Sequence, residues 1–222
     1  MTTTAAIDKR SFDRQAADWI RGAIVSGELA PGARVTEISL ASQIGLSRST
    51  VRAAMQRLAS EGLLVQHAYT GWQVATLSPE DAWELYTLRC SLEAMAARLA
   101  AERIDLVGRT TLTAALQELR DALAARDRRR IALADLAIHK TIVSLANHRR
   151  LAMQYALVIE PVHLYILSTN SMTEPVEAIY PEHEEIVEAI LRGDAKEAER
   201  LACEHVSKHG QRLVEVLRSQ AE

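Results

Sequence analysis

Aromatic residues make up only 4% of the 222 residues, with a single phenylalanine. The core must therefore be built from smaller apolar side chains, and alanine and leucine dominate the composition. Nine glycines and five prolines leave few interruptions, so long helices are expected and a strand-rich fold is not. Two cysteines cannot make a disulfide scaffold; Cys90 and Cys203 lie far apart in helical patterns and read as a reduced, cytoplasmic pair. No apolar run is long enough to span a bilayer, and nothing near the start resembles a signal peptide. The expectation is a cytoplasmic protein without a membrane partner. A strong basic excess is missing too, since the net charge is −3.

The chain does contain 48% apolar residues, enough for a sizeable core, and a length that suits one large or two small domains. Its charge is divided unevenly. Residues 1–78 carry 8 Lys+Arg against 6 Asp+Glu, and residues 79–222 carry 18 against 23. Six of the seven histidines sit in the acidic part.

The most informative stretch runs from Thr36 to Leu58. Ile38, Leu40, Ala41 and Ile44 give a first helix an apolar stripe. Gly45 stands where a helix closes in the left-handed conformation, Leu46 packs back, and Ser47 caps a second helix. So short a connection is that of a helix-turn-helix. In the second helix Val51, Ala54, Met55 and Leu58 share an inward face. Ser47, Arg48, Ser49, Thr50, Arg52 and Gln56 occupy its start and outward face, which holds two arginines and no acid. Arginine forks onto guanine or phosphate, and the N-terminal residues of a recognition helix are those that reach base edges. Taken alone, such a face is also what solvated surface looks like.

Around this motif, residues 1–10 are small and polar and read as a disordered N-terminus. A helix over Ser11 to Ser26 follows, with Phe12, Ala16, Trp19, Ile20 and Ile24 inward. Leu63 to Gln66 and Trp72 to Thr76 read as two strands of a hairpin, a wing, with His67, Tyr69, Thr70 and Gly71 at its tip. The tip could lie along a groove or phosphate, or merely cover the core edge.

Residues 11–77 resemble the winged-helix domain of GntR-family regulators, through IRGAIVSGELAPG, LASQIGLSRSTVRAAMQRLASEGLL and the hairpin with Gly71. Thr50 and Ala53 replace the proline and glutamate of the usual recognition-helix start, while Ser47, Arg48 and Arg52 match it.

Ser78-Pro79-Glu80-Asp81 is a helix start and the domain boundary. From there to residue 222 only helical patterns occur, at about 79–103, 105–126, 128–147, 149–168, 174–192 and 195–219. Pro181 either kinks or starts its helix. The expected fold is mainly α: a winged helix-turn-helix of three helices plus a small β-hairpin, then an all-α antiparallel bundle of about six helices over 78–222.

Three bundle helices aim ionisable groups inward. Asp135 and His139 share the face of Ile131, Ile138 and Ile142; His183 lies with Ile179 and Ile186; His205 lies with Ala202 and Val206. A divalent transition metal such as zinc or nickel would satisfy all four groups together. A satisfied core histidine, or a buried Asp135–His139 hydrogen bond, is the plainer alternative for each taken singly. His163 and His209 are reserve ligands, and Glu182 is expected to point off the inner face. Arg89 shares a face with Leu85, Leu92 and Ala96, where it could clamp a carboxylate or pair with Glu93.

Residues 78–222 also resemble the FCD effector domain of the FadR-type subfamily, through LYTLRCSLEAMAARLAA, DLAIHKTIVSLAN and PEHEEIVEAI, with the VanR-like branch favoured by the helix number. That resemblance implies a metal held by Asp135, His139, His183 and His205, and an effector near Arg89, Tyr86 and Asn147. The implied function is a DNA-binding transcriptional regulator, read as a repressor, not an enzyme. It would be a homodimer on a palindromic double-stranded operator and would respond to a small carboxylate. The alternative is a metal-dependent hydrolase with an accessory winged-helix module.

Overall fold

A computed structural model describes residues 11–67, 71–169 and 176–221. The N-terminal residues expected to be disordered, the wing-tip residues Tyr69 and Thr70, and the expected start of a helix at 174 lie outside the described residues. The chain divides into two compact units, residues 1–76 and 77–222.

The first unit contains helix α1 (Phe12–Val25), strand β1 (Arg34–Val35), helices α2 (Glu37–Ile44) and α3 (Arg48–Ser60), and strands β2 (Leu64–His67) and β3 (Gly71–Val74). Ala16, Ile20 and Ile24 of α1 are buried, as are Val51, Ala54, Met55 and Leu58 of α3. Phe12, expected inward, is 66% exposed, and Trp19 is also exposed. The buried row of α1 runs instead through the small residues Ala16, Ala17 and Ala23, which let it approach its neighbours closely. Ile38 is likewise exposed, at 62%. The inward row of α2 is Glu37, Leu40, Ala41 and Ile44, the i, i+3, i+4, i+7 pattern, and Ile38 falls outside it.

The turn between α2 and α3 forms as the sequence requires. Gly45 adopts φ 74°, and the Ser47 hydroxyl accepts the Thr50 N–H at 3.2 Å. Both hairpin strands are present, and β1 joins them in an antiparallel sheet of order β1-β3-β2, with Val35 opposite Trp72 and Leu64 opposite Val74. A two-residue strand has no periodicity to read, so β1 was invisible in the sequence.

The second unit consists, among the described residues, of six helices: α4 (Pro79–Arg103), α5 (Leu106–Ala125), α6 (Arg128–Leu145), α7 (Arg149–Thr169), α8 (Val176–Arg192) and α9 (Ala195–Ala221). Ser78 and Asp81 close a capping box at α4, with Pro79 in the first turn. Asp105 and Asp127 cap α5 and α6. Leu112, Leu119, Ile131, Ile138, Ile179 and Ile190 fill the core. Pro181 sits inside α8, and Pro161 inside α7. The longest helices, α4 and α9, pack together; a Cβ on Gly210 would lie 2.6 Å from the Cβ of Tyr86. Cys90 and Cys203, expected as a reduced pair, are joined in a disulfide across α4 and α9. Their 113-residue separation says nothing about proximity; the packing of the first and last helices brings their Cα atoms to 4.7 Å.

Candidate metal centre and nucleic-acid interface

The outward face of α3 is as expected. Arg48, Ser49, Arg52 and Gln56 are exposed, and Thr50 is half-buried. Ser47 is occupied as a cap, its hydroxyl also meeting Ser49 Oγ at 2.9 Å and Thr50 Oγ1 at 2.7 Å. Gly71 opens β3 at φ 96°, a conformation that demands glycine although a Cβ would meet nothing within 4 Å. The absence of acid holds only within α3 itself. Arg52 donates from Nε and Nη2 to the two carboxylate oxygens of Glu37, each at 2.7 Å. The hydrogen bond from Arg52 holds the Glu37 carboxyl below its ordinary range. The acid arrives from α2, so no pattern along α3 could show it.

In the bundle, Asp135 and His139 (α6), His183 (α8) and His205 (α9) each offer one ligand atom, all within 4.8 Å of one another. The three histidines are buried; His183 is 1% exposed. The protons are arranged from behind. His139 Nδ1 lies 2.7 Å from Glu93 Oε2, and His183 Nδ1 lies 2.7 Å from the Ile179 carbonyl oxygen. Carboxylate and carbonyl only accept, so each Nδ1 carries a hydrogen and each ring turns its Nε2 to the other ligand atoms. Those two Nε2 atoms are 3.3 Å apart, and Asp135 Oδ1 is 3.1 Å from that of His183. Nitrogen and oxygen ligand atoms crowd together there, an arrangement that a cation would satisfy. His205 Nδ1 meets Glu182 Oε2 at 3.0 Å, which leaves its Nε2 for the same centre. Burial first, then the other imidazoles, push His205 down to about 3, so its ring is neutral, as a metal ligand must be. The residues present therefore fit a divalent metal.

Two supporting carboxylates were not foreseen in this role. Glu93 is buried and accepts from Arg89 Nε at 2.9 Å with the oxygen that His139 does not use. Burial opposes ionisation of Glu93, but Arg89 and His139 together hold it well below its ordinary range. Glu182, expected to point away, turns toward α9 and takes His205, His209 and Lys208, with His209 Nε2 at 2.8 Å. The sequence marks Glu182 only as a neighbour of His183; its reach to the next helix is a matter of packing.

Beside these ligands lies a cavity of about 60 Å³. Arg89, Tyr86, Asp135, His139, His205 and His163 are among its lining residues. Tyr86 lies under the Arg89 guanidinium, which is 4.7 Å from the ring centre. Asn147 is not part of it: it is exposed, at φ 46°, in the turn between α6 and α7. Its left-handed backbone explains its identity, since asparagine tolerates that conformation better than most residues.

Comparison with known proteins agrees with both halves. Residues 12–74 match the model of bacterial regulatory proteins of the gntR family, and residues 84–208 match the FCD domain. A transcriptional repressor assigned to the D-xylose utilization operon of Paenarthrobacter nicotinovorans is 29% identical over 93% of this chain and 91% of its own. The gluconate operon transcriptional repressor of Bacillus licheniformis is 27% identical over 79% of this chain and 74% of its own. Among solved structures, a GntR regulator from Rhodococcus sp. RHA1 superposes with a TM-score of 0.77 at 25% identity, over 92% of this chain and 98% of that one. Nothing in these relationships supports the hydrolase alternative. No described helix is long and apolar enough to cross a membrane. With an N-terminal winged helix and a C-terminal FCD domain, the chain belongs to the GntR family of DNA-binding transcriptional regulators.

Proposed function

We propose that the protein is a repressor whose grip on its operator is set by a small organic acid bound at a metal in the FCD domain. The observation that carries this reading is the convergence of ligand atoms from Asp135, His139, His183 and His205, with the imidazole Nδ1 hydrogens of these histidines held by Glu93, the Ile179 carbonyl and Glu182. Three imidazoles and one carboxylate suit zinc, nickel or a similar divalent ion. Once bound, the metal supplies an electrophile for a carboxylate. The chain's own residues shape the rest: Arg89, kept charged by Glu93, and Tyr86 line the same cavity. The six described helices of this unit favour the VanR-like branch. The repressor sense is supported by the relatives named for the D-xylose and gluconate operons.

In the other domain, Arg48, Ser49, Thr50, Arg52 and Gln56 meet double-stranded DNA, Ser47 orients the helix start, and Gly71 belongs to the wing. A cytoplasmic homodimer would present two recognition helices to a near-palindromic site. The acid regulates binding only if its affinity differs between the DNA-gripping and released arrangements.

The test is a titration of DNA from the gene's own upstream region, followed by fluorescence anisotropy at several salt concentrations, with and without a panel of short carboxylic acids. The reading expects a steep loss of affinity with salt, release by one class of acid, and a His183→Ala protein that binds DNA but ignores that acid. Normal release from His183→Ala would contradict the pocket assignment.

A further inference from the structure

On the Glu182 side of His205 lies a second set of convergent ligand atoms. His205 and His209 stand one turn apart on α9, the i, i+4 spacing at which two imidazoles of one helix reach a common ion. Their ring centres are 4.3 Å apart. Glu182 Oε2, from α8, is 3.0 Å from His205 Nδ1 and 2.8 Å from His209 Nε2, and those two nitrogens are 3.1 Å from each other. Ligand atoms about 2.0–2.1 Å from one tetrahedral ion stand roughly 3.3 Å apart, so this triangle is close to the size a divalent ion imposes. Both imidazoles are buried, while the Glu182 side chain is 20% exposed. A groove of about 160 Å³ is lined by Glu182 and His205 together with the exposed Glu185, Glu204 and Lys208. Of these, Glu204 is also held by Arg200. The groove gives a cation a way in and a water a place as fourth ligand.

We propose that Glu182, His205 and His209 form a second divalent-cation site, outside the first centre and sharing His205 with it. Two imidazoles and one carboxylate suit zinc, nickel or cobalt. The two centres use opposite nitrogens of one ring. His205 has Nδ1 toward Glu182 and His209, which leaves Nε2 for Asp135, His139 and His183. With no outer ion, Nδ1 carries a hydrogen and Glu182 accepts it. An outer ion takes the place of that hydrogen, and Glu182 changes from acceptor to ligand. With both centres filled, His205 bridges them without a hydrogen, so the outer ion is held more weakly than the inner one. Lys208 competes for the same carboxylate: its ammonium meets Glu182 Oε1, beside the oxygen that the ion takes. The outer site does not depend on the inner centre being filled.

The experiment is titration of full-length, metal-free protein with cobalt(II), read by visible absorption with free ion present at equilibrium. His183→Ala, which lacks an inner ligand, is expected to take up about one cobalt per chain. Adding Glu182→Gln or His209→Ala to it should weaken that binding by about tenfold or more. Adding Lys208→Met instead removes the competing ammonium and should tighten the binding about threefold or more, a gain that a purely hydrogen-bonding role for Glu182 does not give. The wild type should take up a second, weaker equivalent that exhaustive dialysis removes. Glu182→Gln keeps the shape of the parent side chain and carries the test should His209→Ala not fold. Cobalt binding by His183→Ala that is indifferent to both Glu182→Gln and His209→Ala overturns the proposal and leaves the inner centre standing. So does wild-type uptake that stops at one equivalent, itself lost in His183→Ala. A single equivalent that survives His139→Ala and His183→Ala but not His209→Ala upholds the outer site and overturns the inner one. Wild-type protein that binds no cobalt overturns both.

Discussion

Glu93 bridges two partners from the buried interior: one carboxylate oxygen takes His139 Nδ1 at 2.7 Å, the other takes Arg89 Nε at 2.9 Å. The carboxylate thus fixes the tautomer of His139, a proposed metal ligand, and neutralises a buried cation lining the cavity. Glu93→Gln is expected to lower zinc affinity about 10–100-fold, the usual effect of removing the partner behind a ligating histidine. It also leaves Arg89 without its counter-charge, which should cost about 3–5 kcal/mol of stability. Competition with a chromophoric chelator reads the first effect, and urea unfolding of the metal-free protein reads the second. Unchanged zinc affinity would show that His139 needs no support.

Two glycines within helices should respond to alanine in opposite directions. At Gly210 a Cβ falls 2.6 Å from Tyr86 Cβ, so α4 and α9 must separate, and Gly210→Ala should destabilise by about 1–3 kcal/mol. At exposed Gly22 in α1 a Cβ meets nothing within 4 Å, and Gly22→Ala should stabilise by up to about 1 kcal/mol through helix propensity. Denaturant midpoints of the two variants, compared with the parent, check both signs.

The fork of Arg52 onto Glu37 makes a prediction for DNA. Glu37 orients the guanidinium and adds a negative charge beside the recognition helix. In Glu37→Gln, binding to unrelated duplex should strengthen, with a salt slope steeper by about 1, while preference for the operator falls. Arg52→Ala should weaken operator binding by about 1–3 kcal/mol. Anisotropy titrations on operator and scrambled duplexes at two salt concentrations separate these outcomes.

Much of this molecule was legible before its structure. The helix-turn-helix could be read because Gly45 and Ser47 act within a few residues of themselves, and helix ends depend on such local chemistry. The convergence of Asp135, His139, His183 and His205 could be read because each sits in a helical stripe of apolar residues, so an inward position followed from spacing. What escaped shares one cause: it depends on which element lies opposite. Glu37 reaches Arg52 from α2, Glu93 reaches His139 from α4, Glu182 reaches His205 from α8, and Cys90 meets Cys203 across the two longest helices. The misplacement of Ile38 has a smaller origin, a stripe shifted by one residue in a helix of only two turns. Asn147 was assigned to the pocket by resemblance, whereas its backbone conformation assigns it to a turn.

The central claim is that three imidazoles and Asp135 converge on a metal. Elemental analysis of the full-length protein, purified without chelators and dialysed exhaustively, tests it directly alongside His139→Ala and His183→Ala. The account predicts about one equivalent of a divalent transition metal per wild-type chain and almost none in either variant, all three folded by circular dichroism. Metal-free wild-type protein that also fails to take up added zinc, or variants that retain a full equivalent, would contradict it.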